Sequence, residues 1–170
     1  MKNVYLVGMM GSGKTTSGRS LAELLKLPFV DLDERIVEHA GHSINEIFKT
    51  QGEAHFRKIE NELLAEVSAQ IGQVVATGGG IVIAPSNRAC MKSTGTVIYL
   101  KTSLKVLWDR VQKKKDRPLL GVTDPEKALA GLFYVRSPLY EASSEKVFLT
   151  DGKSSEAVAL EIYKACFEKQ

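Results

Sequence analysis

Short apolar runs recur along the chain, and between them apolar residues return every three or four positions. The runs are Val4-Tyr5-Leu6-Val7, Phe29-Val30, Val74-Val75-Ala76, Thr96-Val97-Ile98-Tyr99-Leu100 and Val147-Phe148-Leu149. Runs of this kind, with little polar alternation, predict strands covered on both faces. The intervening stripes predict helices. Leu21, Leu24 and Leu25 give the first its core face, and Pro28 stops it. Ser43 and Glu46 are spaced as a capping box for a short helix over 43–48, which Gly52 breaks. Phe56, Ile59, Leu63, Val67 and Ile71 line a longer one. Leu104, Leu107 and Val111, then Leu129, Leu132, Phe133 and Tyr140, then Val158, Ile162 and Cys166 over 155–167 mark three more. Strands alternating with helices predict an α/β fold: a three-layer α/β/α domain around a five-stranded parallel sheet with right-handed crossovers.

Composition narrows the class only a little. At 170 residues the chain fits one domain, expected to span 1–170, with enough core to need no disulfides. Cys90 and Cys166 lack metal-like spacing and read as reduced thiols. His39, His42 and His55 have no metal spacing either. The net charge of +3 is too small to argue for nucleic acid and suits anionic small molecules. No apolar run approaches the ~20 residues needed to cross a bilayer. Met1-Lys2-Asn3 leads straight into the first strand, so a cytoplasmic monomer without membrane contact is expected.

The strongest chemical signal is Gly8-Met9-Met10-Gly11-Ser12-Gly13-Lys14-Thr15, set between a strand and a helix. That context separates a P-loop from a chance match. Glycines let successive N–H groups line one concavity, the helix adds its positive end, Lys14 adds a charge and Thr15 offers a hydroxyl to Mg²⁺. Gly11, Ser12, Gly13, Lys14, Thr15 and Thr16 are therefore candidate contacts to a nucleoside triphosphate.

The rest of the chain supplies an acceptor. Asp31-Leu32-Asp33 ends the second run, and alternation along a strand places both carboxylates on one side. One suits Mg²⁺ through water, the other a substrate hydroxyl; capping the following helix is the plainer role. Arg57 has Glu53 four residues before it and Glu60 three after. It is either a surface ion pair worth ~0–1 kcal/mol or a guanidinium held for a ligand, and spacing does not choose. Gly78-Gly79-Gly80 closes the third run, where three glycines weaken packing unless a ligand lies on bare backbone. The polar, basic segment 113–124, with Arg117-Pro118-Leu119-Leu120 inside it, reads as a lid that keeps water from the phosphate. Arg136 falls within the apolar stripe of the next helix, so it needs a buried carboxylate or a ligand's anion.

Taken together, G-M-M-G-S-G-K-T, D-L-D, F-R-K-I-E, T-G-G-G, R-P-L-L and R-S-P-L-Y resemble the shikimate kinases in order and spacing along nearly the whole chain. The resemblance implies an adenylate-kinase-like P-loop fold with strand order 2-3-1-4-5, a substrate region near 34–60 and a lid near 112–125. It implies transfer of the ATP γ-phosphoryl to the 3-hydroxyl of shikimate, in chorismate and aromatic amino-acid synthesis. Asp33, Arg57, Gly79 (with its neighbours Gly78 and Gly80) and Arg136 would hold shikimate. Asp33 would orient the attacking hydroxyl, Lys14 and Arg117 would balance phosphoryl charge, and Thr15 with Asp31 would keep Mg²⁺. Arg110 is similar to the family's adenine-side arginine. A kinase of gluconate or of a nucleoside monophosphate would share the P-loop and lid but not this combination. A GTP switch would want N-K-x-D and D-x-x-G, which the chain lacks.

Overall fold

A computed structural model describes residues 1–114 and 122–168. Strands β1 (Asn3–Val7), β2 (Phe29–Asp31), β3 (Val74–Ala76), β4 (Gly95–Lys101) and β5 (Lys146–Leu149) form one parallel sheet in the order β2-β3-β1-β4-β5. The helices are α1 (Lys14–Leu25), α2 (Leu32–Ala40), α3 (Ile44–Ser68), α4 (Pro85–Thr94), α5 (Leu104–Val111), α6 (Pro125–Ser143) and α7 (Ser155–Cys166). The strand pattern and order agree with expectation.

Alternation along the central strand divides the core. Tyr5 and Val7 face one layer with Ile36, Ile59, Leu64, Met91, Leu107 and Leu129, so α2 to α6 cover that side. Val4 and Leu6 face the other, with Leu21, Ala22, Val158 and Ile162 of α1 and α7. Every residue of β1 is buried, which suits a strand with neighbours on both edges and helices on both faces. Its C-terminal end therefore opens at the middle of the sheet's upper rim, between β3 and β4, where α/β folds place their ligands.

Gly52 breaks the helical conformation within α3 at φ 83°, ψ 169°, as expected, so two helical segments meet there at a kink. The capping box at Ser43 and Glu46 is present as expected. Ile71 lies beyond the end of α3 and is 78% exposed, and Leu24 is 41% exposed, so neither belongs to the core. Helix α4 went unanticipated because it buries only Asn87 and Met91 and carries no apolar stripe. Among the described residues, no helix is long and apolar enough to cross a membrane.

Candidate active site

The P-loop turns on glycines that L side chains could not replace. Gly11 and Gly13 have φ 82° and 88°, and a Cβ on Gly11 would also meet Val111 Cγ2 at 2.9 Å. Gly13 caps α1 without a side-chain hydrogen bond, so the first amides of that helix face the cavity above. Lys14 is 9% exposed, and its ammonium donates to the carbonyls of Gly8 at 2.8 Å and Met9 at 2.9 Å. The charge is thus pinned over the loop it serves.

Asp31 joins this loop to the second strand. Its Oδ2 accepts from Thr15 Oγ1 at 2.6 Å, while Oδ1 accepts from the amides of Asp33 at 3.0 Å and Glu34 at 3.3 Å. It is therefore the N-cap of α2, and strand geometry stops there. The expected alternation of two strand carboxylates is wrong in detail: Leu32 already belongs to α2, fully buried, and Asp33 occupies the helix's first turn. Both acids still line one cavity of about 710 Å³, together with the P-loop and Gly79. Helical phase brought them there by a different route.

The three glycines make room for four side chains. A Cβ at Gly78 would stand 2.8 Å from Glu60 Oε2 and 3.0 Å from Asp33 Oδ1. One at Gly79 would lie 3.4 Å from both Arg136 Nη1 and the Met10 amide nitrogen. One at Gly80 would overlap the Arg57 guanidinium. Close approach, rather than backbone conformation, is what this stretch requires: none of the three has a positive φ.

Arg57 is no surface ion pair. Its Nη1 donates to Glu60 Oε1 at 2.7 Å, and Glu60 is fully buried; Glu53 adds a half-exposed contact at 3.3 Å. Burial pushes the Glu60 carboxyl above its ordinary range, and the charge and hydrogen bond of Arg57 pull it back. Arg136 is 2% exposed, and among the described residues no carboxylate forms an ion pair with it. Its Nε is buried without a hydrogen-bond partner. Among the described residues, then, no carboxylate pairs with Arg136 directly, and buried Glu60 acts on it only at a distance.

On the opposite side, Arg110 Nη1 donates to Gly11 O at 2.9 Å and lines the cavity. Lys153 of the β5–α7 connection and Ser155, the first residue of α7, line it too, and Ser155 Oγ donates to Thr16 Oγ1 at 2.8 Å. Sequence reading missed these two because the loop carries no motif; its place at the C-terminal end of a parallel strand was the available signal. Arg117, with the rest of 115–121 in the expected lid, lies outside the described residues. Among the described residues no group of three His, Cys, Asp or Glu side chains could hold a metal by itself.

Residues 10–167 match the family model for shikimate kinase. The chain is 44% identical over 164 residues to a shikimate kinase of Legionella pneumophila (strain Corby), covering 96% of this chain and 94% of that one. The chain belongs to the shikimate kinase family. A shikimate kinase from Acinetobacter baumannii, solved in complex with shikimate, superposes at TM-score 0.95 with 39% identity, over 97% of this chain and 92% of that chain. One from Aquifex aeolicus gives TM-score 0.84 with 34% identity, over 98% of this chain and 99% of that chain. As a shikimate kinase the chain is an ATP-dependent phosphotransferase acting on shikimate, in aromatic amino-acid biosynthesis.

Within the family site, Gly80→Ala tests the close-approach argument. The added methyl meets the far end of a side chain that can swing away, so the backbone should be little affected. The guanidinium, however, must leave its place, and buried Glu60 loses part of its partner with it. The expected result is a rise of roughly tenfold in KM for shikimate, equivalent to one lost charge-assisted contact, with KM for ATP unchanged and Tm lowered, by no more than Arg57→Ala lowers it. Steady-state kinetics and a thermal melt check it.

Proposed function

We propose that ATP lies on the P-loop, shikimate lies across Gly79, and the γ-phosphoryl passes in line to the 3-hydroxyl. The observation that carries this reading is at Gly79, whose missing side chain leaves one gap between the P-loop amide of Met10 and the Arg136 guanidinium. Phosphate loop and acid grip meet across a single bare residue. Arg57 and Arg136 hold the carboxylate, where planar forks give geometry as well as energy. Asp33 orients the hydroxyl and takes its proton as the new O–P bond forms and the bond to ADP breaks. Lys14, and Arg117 on the family resemblance, balance charge on the phosphoryl group in transit.

The Thr15–Asp31 pair fits Mg²⁺: a hydroxyl at the loop and a carboxylate one hydrogen bond behind it are the donors such an ion uses beside phosphate oxygens. When bound there, Mg²⁺ neutralises phosphate charge. On this reading 1–170 is one cytoplasmic, monomeric kinase domain, with 34–60 shaping the acid site and 112–125 serving as lid. Positioning and electrostatics are sufficient for the transfer, with no covalent intermediate.

A coupled assay for ADP release, run with ATP against shikimate, gluconate and nucleoside monophosphates, tests the assignment. Turnover with shikimate alone, giving a phosphate ester at the 3-position by NMR, is expected. Turnover of gluconate or a nucleotide with none of shikimate would overturn it.

A further inference from the structure

Tyr140 is among the largest fully buried side chains, and the chemistry above gives it no part. Its surroundings argue for one. Backbone carbonyls of the glycine stretch are satisfied in turn: Gly78 O accepts from the Ile81 amide at 3.2 Å and Gly80 O from the Ile83 amide at 3.1 Å. Gly79 O, between them, accepts from the Tyr140 hydroxyl. The carbonyl that orients the residue under the substrate is therefore held by a side chain from α6, not by its own turn.

The Tyr140 hydroxyl borders two other parts of the site. Met9 Sδ, within the P-loop, lies 3.6 Å from it. The Arg136 guanidinium, one helical turn earlier on α6, lies against the same glycine, with Nη1 3.4 Å from where a Cβ on Gly79 would stand, and its charge acts on the phenol. Burial pushes the phenol's pKa far up, so it stays neutral and keeps its proton for Gly79. A neutral hydroxyl leaves the charge of Arg136 uncancelled, as a carboxylate would not. The ring is fixed in turn against Tyr99, with centroids 5.1 Å apart.

We propose that Tyr140 is a positioning residue for shikimate: its hydroxyl holds the Gly79 carbonyl beside the Arg136 guanidinium, setting floor and carboxylate grip in one fixed relation. This rests on the reading of Arg136 as part of that grip. Phosphate contacts are made by other elements, so the effect belongs to shikimate and not to ATP.

The test is a double-mutant cycle with Tyr140→Phe and Arg136→Ala, read as KM and Kd for shikimate, KM for ATP, kcat and Tm. Phe keeps the ring on Tyr99 and removes only the hydroxyl. Tyr140→Phe should raise KM for shikimate about tenfold and leave KM for ATP within about twofold. In the Arg136→Ala background the same change should add less than about twofold, because the group it positions is gone. If Tyr140→Phe lowers Tm, shikimate Kd measured well below that Tm still reads the effect. An Arg136→Ala enzyme with unchanged KM for shikimate would sink the grip itself. A normal grip with an unaffected Tyr140→Phe, or a full tenfold effect retained in the Arg136→Ala background, would sink the positioning role.

Discussion

Asp33→Asn is expected to keep ATP affinity and to lose roughly two to four orders of magnitude in kcat, the range that a general base contributes. The substitution preserves size and position in the first turn of α2. It removes the one property that matters in the proposed step, the ability to receive a proton from the hydroxyl as it attacks. Asp31 cannot take over. Its two oxygens are engaged by Thr15 and by the amides of Asp33 and Glu34, and moving it would uncap α2 and loosen the P-loop. Since that network is untouched in Asp33→Asn, the nucleotide Kd should stay within about twofold and Tm should hold, consistent with a change that leaves binding intact and acts on the transition state. Isothermal titration with ATP and a coupled rate assay separate the two effects. Near-normal kcat would leave Asp33 as a carboxylate favouring the helix dipole and nothing more.

The contrast between the two acids shows where sequence reading succeeds. The P-loop was legible because its chemistry demands particular residues at particular spacings, and Arg136 because helical phase alone places it on the buried side of α6. The D-L-D motif was legible as part of the cavity's lining but not as a geometry. Alternation assumes the strand continues, and Asp31 ends it by capping the next helix. The triple glycine announced that something must come close to the backbone. That the visitors are Glu60 and Asp33 at Gly78, Arg136 at Gly79 and Arg57 at Gly80 depends on tertiary packing of α2, α3 and α6 that no local pattern encodes. Helix α4, whose buried face is one Asn and one Met, and the polar β5–α7 connection left no periodic trace at all.

Arg57 and Glu60 carry the remaining large effect, and here stability and function can be pulled apart. Glu60 is fully buried with Oε2 unpaired, so its tolerance rests on Arg57. Arg57→Ala should weaken shikimate binding by removing half of the proposed carboxylate grip. It should also destabilise the fold by about 3–5 kcal/mol, the cost of stranding a buried charge. For a domain of this size that corresponds to a Tm lower by roughly 6–20 °C. The loss should depend on pH with a definite sign. Burial already raises the Glu60 pKa above its ordinary 4.5, and removing Arg57 raises it further. A carboxyl whose folded pKa exceeds its unfolded value is best tolerated when protonated, so the Arg57→Ala deficit should shrink near pH ~5 and widen as pH rises through the folded pKa. Glu60→Gln removes the charge altogether. Arg57→Ala/Glu60→Gln should therefore recover most of the Tm and lose the pH dependence, while KM for shikimate stays high. An Arg57→Ala melt within ~2 °C of the parent would show that Glu60 is not held by this arginine. Recovery of shikimate affinity in the double variant would mean that Arg57 serves Glu60 and not the substrate.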